Sequence, residues 1–268
     1  MSAVYLQAVG LVAPGLASWA EGRAVLAGER AFERQPLPAP QPATLPPNER
    51  RRAPLGVRLA LQAAEQAMGP GASRAAELAT VFATSDADMD VVHRLCVALA
   101  EDSRSVSPTD FHNSVHNAAS GYWSIGARAR GPSTTLSAHD FTFAAGLREA
   151  VALATVDATD VLLVAFDVSP PPPLLAARPV PCPAALALWL CRRESDRALA
   201  RLSLAGESAP LLPEPDSAMP EAGLEALRRS NPALRALPLL RAIARRESTR
   251  VALPAHDGQS LGVRVEPR

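Results

Sequence analysis

The feature that most constrains this chain is a series of short apolar runs separated by helical patterns. Val161–Phe166 (VLLVAF), Ala184–Cys191 (AALALWLC) and Val4–Val12 (VYLQAVGLV) contain no charged residue. Each is far shorter than the roughly 20 apolar residues needed to cross a bilayer, and each has the length of a strand buried on both faces. Leu78–Ala83, Ser133–Ala138 and Ala200–Leu204 are expected to be further strands. Helical periodicity covers Leu16–Ala27, Arg58–Met68, Asp86–Ala100, most of Pro108–Arg130, and Asp140–Ala154. In Asp86–Ala100 it places Val91, Val92, Leu95, Cys96 and Leu99 on one face.

Two more helices are expected near Glu221–Arg229 and Ala233–Arg245, before a closing hairpin of Arg250–Ala255 and Leu261–Val265. Gln35–Pro47 holds six prolines and reads as an extended surface loop. Gly206–Pro220 reads as a second loop. Strands alternating with helices predict an α/β layered fold with a mixed sheet, and residues 1–268 are expected to form a single domain.

Charge excludes some partners. Arginines number 27 and acidic residues 27, so no net charge draws the chain to nucleic acid or to a membrane surface. Lysine is absent altogether, which removes Schiff-base and Walker-loop chemistry. Three unpatterned cysteines, Cys96, Cys182 and Cys191, read as reduced thiols, and with no charged stretch ahead of Arg23 the expected compartment is the cytoplasm.

The candidate chemistry lies between Phe111 and Phe143. Phe111–Trp123 (FHNSVHNAASGYW) contains no Asp, Glu, Lys or Arg. Charge depletion with aromatic enrichment marks the buried centre of an interface, although a helix buried in its own chain has the same composition. His112 and His116 are four apart, a spacing metal ligands use, but only Asp110 or His139 offers a third ligand, so a polar interface or capping role is preferred and no metal is expected. Ser114, His116 and Asp140 suggest a hydrolase triad, yet Ser114 and His116 are two apart and would point to different sides of a helix.

Asn113–Phe143 resembles the nucleophile region of the β-ketoacyl synthases, in which an Asn-bearing helix leads through R-G-P-S to a strand that delivers the active cysteine. Asn117, Gly121, Ile125, Arg130, Gly131, Pro132 and Ser133 match that pattern without a gap, and Ala158 and Asp160 match the Ala-x-Asp before the next strand. Phe111–Ile125 is especially similar to short, chain-length-factor-like proteins of aryl polyene biosynthesis. The resemblance implies a thiolase-like fold confined to the N-terminal half, without the second catalytic half.

By the same resemblance, Asp140 stands at the nucleophile's position, where an aspartate reads more simply as the N-cap of the following helix. The second-half histidines of ketosynthases have no counterpart, since His256 lies in AHDGQ. The expectation is therefore a non-catalytic subunit without cofactor. It would pair with a full-length β-ketoacyl synthase, indirectly serve its acyl carrier protein, and face the partner's acyl tunnel through Phe111, Ser114, Val115, Asn117 and Tyr122. A stand-alone acyl thioester hydrolase, or an acyl-binding homodimer, using Asp140 and histidines is the alternative.

Overall fold

A computed structural model describes residues 3–69, 73–204 and 215–268. The expected loop at Gly206–Pro220 therefore lies outside the described residues as far as 214. Eight strands form one mixed sheet in the order β3-β2-β4-β5-β1-β6-β8-β7. They are β1 (Ala3–Val12), β2 (Ala79–Ala83), β3 (Ser133–Leu136), β4 (Val161–Asp167), β5 (Ala184–Cys191), β6 (Ala200–Leu204), β7 (Thr249–Pro254) and β8 (Ser260–Pro267). β2 runs parallel to both β3 and β4, and the remaining pairings are antiparallel. Every residue of β2 and β4 is buried, as expected of strands covered on both faces.

The helices are α1 (Trp19–Ala27), α2 (Pro47–Arg52), α3 (Leu55–Met68), α4 (Met89–Ala100), α5 (Pro108–Asn113), α6 (Ala118–Gly126), α7 (Thr142–Val156), α8 (Pro172–Leu175), α9 (Ala222–Arg229) and α10 (Leu237–Ala244). α3 and α6 cover one face of the sheet, with Leu59, Ala63, Tyr122 and Trp123 packed among Phe82, Leu162 and Val164. α7 and α10 cover the other, with Phe143, Leu147, Leu239 and Leu240 against Val81, Leu163 and Leu186. The approach of α3 depends on Gly10, where an added Cβ would lie 1.9 Å from the Ala63 carbonyl oxygen. No described helix is long and apolar enough to cross a membrane.

Four expectations need correction. Ser133–Leu136 shares a sheet with Val161–Asp167, but the two are not neighbouring central strands: β2 lies between them and β3 is an edge. The expected helix over Pro108–Arg130 breaks after Asn113 and resumes at Ala118; Ser114 caps α5 by directing both its N–H and its hydroxyl to the Phe111 carbonyl. The helix expected from Asp140 begins at Thr142, behind a 3-10 turn at His139–Phe141. On α4 only Val91 is buried, so the apolar face read from the sequence looks outward.

Candidate functional site

The turn leaving β3 is fixed by Thr142. Its hydroxyl accepts the Ala138 N–H at 3.0 Å and donates to the His139 carbonyl at 2.6 Å, while His139 adopts the left-handed conformation at φ 52°. Thr142 is almost fully buried, so these bonds are sheltered from water. Asp140 is therefore not the helix cap that the sequence suggests. Its Oδ1 accepts from Arg178 Nη1 at 2.7 Å, and Arg178 Nε donates to Asp86 Oδ2 at 2.6 Å. The Arg178 side chain is 12% exposed. Burial alone would lower its pKa, but the bonds to the two carboxylates outweigh this and hold it above the usual arginine range.

Beyond Asp86 the polar chain runs inward. Ser85 Oγ lies 2.8 Å from Asp86 Oδ2 and 2.7 Å from Oδ1 of Asp167, a carboxyl buried at the end of β4. Asp167 Oδ1 also accepts the Ser85 N–H at 2.7 Å and the Thr84 hydroxyl at 3.1 Å. Burial pushes the Asp167 pKa up to about 7 against the pull of these donors. The network joins the ends of β2 and β4, the start of α7 and the segment after α8. Sequence reasoning missed Arg178, Asp86 and Asp167, because ion pairs 38 and 92 residues apart leave no periodic or motif signal.

The remaining candidates are dispersed. His116 Nε2 lies 3.1 Å from the Thr84 carbonyl, so its ring is engaged away from Ser114 and Asp140. The helix break also separates His112 from His116. His112 instead meets the Tyr122 ring edge-on, and no cluster of metal-ligating side chains occurs among the described residues. His256, carried by the β7–β8 turn, reaches the ring of Phe141 beside Asp140, a contact its local sequence does not announce. Cys182 and Cys191 are buried, and burial pushes the Cys191 thiol up to about 12, leaving no thiolate there. Cys96 lies on α4, outside this network.

Phe111–Trp123 divides between interior and surface. Tyr122 is buried within its own chain and donates to Asn113 Oδ1 at 3.1 Å, so it is not a free partner-facing side chain. Asn113 in turn donates to the Arg52 carbonyl at 3.0 Å, anchoring α5 to the end of α2. Ser114 is half-buried and Asn117 exposed. Outside, Phe111 is 68% exposed, Val115 48% and Ile125 78%, and Val97 and Leu99 of α4 are exposed as well. Arg94 fastens α4 to α5 through Asp110 at 2.7 Å and also pairs with Asp90. Exposed apolar side chains thus occur on α4, on α6 and around α5, which the Arg94–Asp110 pair ties to α4.

A family model described as the β-ketoacyl synthase N-terminal domain matches residues 23–252. The chain belongs to that family. Among solved structures, it is similar to a chain of the ketosynthase ApeO in complex with its chain length factor ApeC from Xenorhabdus doucetiae. That match has a TM-score of 0.70 at 24% identity and covers 97% of this chain and 98% of the other. The ishigamide ketosynthase/chain length factor gives 0.71 at 14% identity, covering 99% of both chains. A ketosynthase of the bacillaene polyketide synthase from Bacillus amyloliquefaciens gives 0.56 at 13% identity, with 86% of this chain spanning 49% of that one. No curated protein matches. The mixed α/β sheet is thus the thiolase-like arrangement of the ketosynthase N-terminal half. The motif glycine of R-G-P-S has a structural reason here, since a Cβ on Gly131 would lie 2.4 Å from the Leu78 carbonyl where β2 begins.

Proposed function

We propose that this chain is a non-catalytic, chain-length-factor-like subunit that docks on a full-length β-ketoacyl synthase and shapes the floor of its acyl tunnel. The observation that carries this reading is the exposure of three large apolar side chains on and beside α5 and α6, Phe111, Val115 and Ile125. Surfaces of this kind on otherwise charged proteins mark interaction sites. Two of the similar solved chains, of nearly equal length, belong to ketosynthase–chain length factor pairs, which supports the choice of partner. Fixing tunnel depth selects product length sterically, because each added carbon needs room. Aryl polyenes or related polyunsaturated acids delivered on an acyl carrier protein are the products this assigns.

The ion pair at Asp140 supports the absence of condensing chemistry. A nucleophile must be free to attack, whereas this carboxylate is held by Arg178, and a carboxylate attacking a thioester would form a reactive anhydride. The same pairing counts against the hydrolase reading. Reconstitution with a full-length β-ketoacyl synthase from the same source tests the proposal: the pair should form a stable complex and make products of defined length. A ketosynthase with the same product distribution with and without this chain would refute it.

A further inference from the structure

Ser85 Oγ carries one proton yet sits at full hydrogen-bonding distance from two carboxylates, 2.8 Å from Asp86 and 2.7 Å from Asp167. One hydroxyl proton cannot complete both contacts. A second proton, held by one carboxyl and donated to Ser85 Oγ, completes them, with Ser85 donating onward to the other carboxylate. Of the two acids, Asp86 already has the Arg178 guanidinium at 2.6 Å and stays charged. Asp167 is 2% exposed, and its Oδ2 has no hydrogen-bond partner among the described residues.

We propose that Asp167, Ser85 and Asp86 form a proton-holding relay at the ends of β2 and β4, with the proton resident on Asp167, and that its loss is a pH-sensitive switch of this loop. The hydrogen-bond donors on the Asp167 carboxyl itself, Ser85 and Thr84, are neutral. Asp86 faces Asp167 across Ser85, Arg178 lies beyond Asp86, and Asp140 lies beyond Arg178, where it also attracts Arg235 and has His139 Nδ1 at 3.8 Å. His116 reaches the Thr84 carbonyl rather than the carboxyl, and Asp88, near α3, is occupied by the Gly56 N–H at 3.1 Å. From the C-terminal segment neutral Asn231 donates to the Asp167 backbone carbonyl at 3.0 Å, and the β5 neighbour is Ala184.

Burial pushes the Asp167 carboxyl from its ordinary 3.8 to about 7. The sign follows from linkage. A folded value above the unfolded one means that the stability contributed is fully present below about pH 4 and is lost as pH rises through about 7. The strain falls on residues 84–86, which also hold Ser137 through the Ser85 carbonyl at 2.8 Å and His116 through that of Thr84.

The test is infrared titration of the full chain labelled with carbon-13 aspartate, between pH 5 and 9. One protonated carboxyl should persist to neutrality and vanish with a midpoint near 7, and it should be missing from Asp167→Asn. Ser85→Ala, which removes the acceptor of the Asp167 proton, should move that midpoint downward. Thermal stability of the native chain should fall from pH 5 to 8, and that of Asp167→Asn should stay level by comparison. A native chain with no protonated carboxyl at pH 6 overturns the proposal, whatever the variants do. So does a neutral-range titration that survives in Asp167→Asn.

Discussion

Replacing Arg178 with Met isolates the ion pair that ties down the start of α7. Methionine keeps much of the apolar stem and removes the guanidinium, so lost packing contributes little. Two charge-assisted bonds disappear, at 2.6 Å to Asp86 and 2.7 Å to Asp140. Such bonds contribute roughly 1.5–3 kcal/mol each when sheltered. The Asp140 side chain is 40% exposed and the Asp86 side chain 26%, so solvent screening places both near or below the low end of that range. The expected loss is about 3 kcal/mol, or a fall of roughly 6–10 °C in Tm for a domain of this size. Chemical denaturation followed by circular dichroism measures it. A double-mutant cycle with Asp140→Asn should show coupling of about 1 kcal/mol or more. Hydrogen exchange should also rise in the 3-10 turn at His139–Phe141. A loss under about 1 kcal/mol, or strict additivity in the cycle, would refute the claim that Arg178 secures this turn.

Asp140→Asn should cost less stability than Asp140→Ala, because the amide oxygen still accepts from Arg178 and a methyl group does not; equal losses by denaturation would contradict this. Gly131→Ala forces a Cβ onto the Leu78 carbonyl at 2.4 Å and should cost about 1–3 kcal/mol or the fold itself, measured by the same denaturation. In the reconstituted pair, Phe111→Ala and Val115→Ala should lengthen the products and Ser114→Phe should shorten them, read by mass spectrometry. An unchanged distribution from assembled variants would separate docking from tunnel shaping.

The sheet was largely legible because buried strands advertise themselves. VLLVAF and AALALWLC admit few other structures, and the closing hairpin appeared where its apolar runs put it. Strand order was not legible: nothing in Ser133–Ala138 says that β2 will lie between it and β4, since register is decided by helices packed from both sides. The helix break at Ser114–Asn117 leaves no mark in the sequence, because none of its four residues is the Gly or Pro that signals a helix end. α4 shows the limit of periodicity, which finds an apolar face without saying whether the chain itself covers it. Tyr122 failed in the opposite sense, since an uncharged interface helix and a buried one share a composition. The Asp86–Arg178–Asp140 pairing lay beyond reach because its partners meet only after the sheet has formed.

Binding to a ketosynthase is the central claim, and the exposed apolar surface gives it a quantitative handle. Burying a large aliphatic or aromatic side chain contributes roughly 1.5–3 kcal/mol, and Phe111 and Ile125 keep 68% and 78% of their surface to be buried. The direct measurement is the dissociation constant between this chain and a full-length β-ketoacyl synthase from the same source, by calorimetry, for the native chain and for Phe111→Asp with Ile125→Asp. A stable one-to-one pair whose affinity falls at least about 100-fold in the double variant, with the fold intact, is the predicted result. No complex with the native chain, or equal affinity in the variant, would contradict the account.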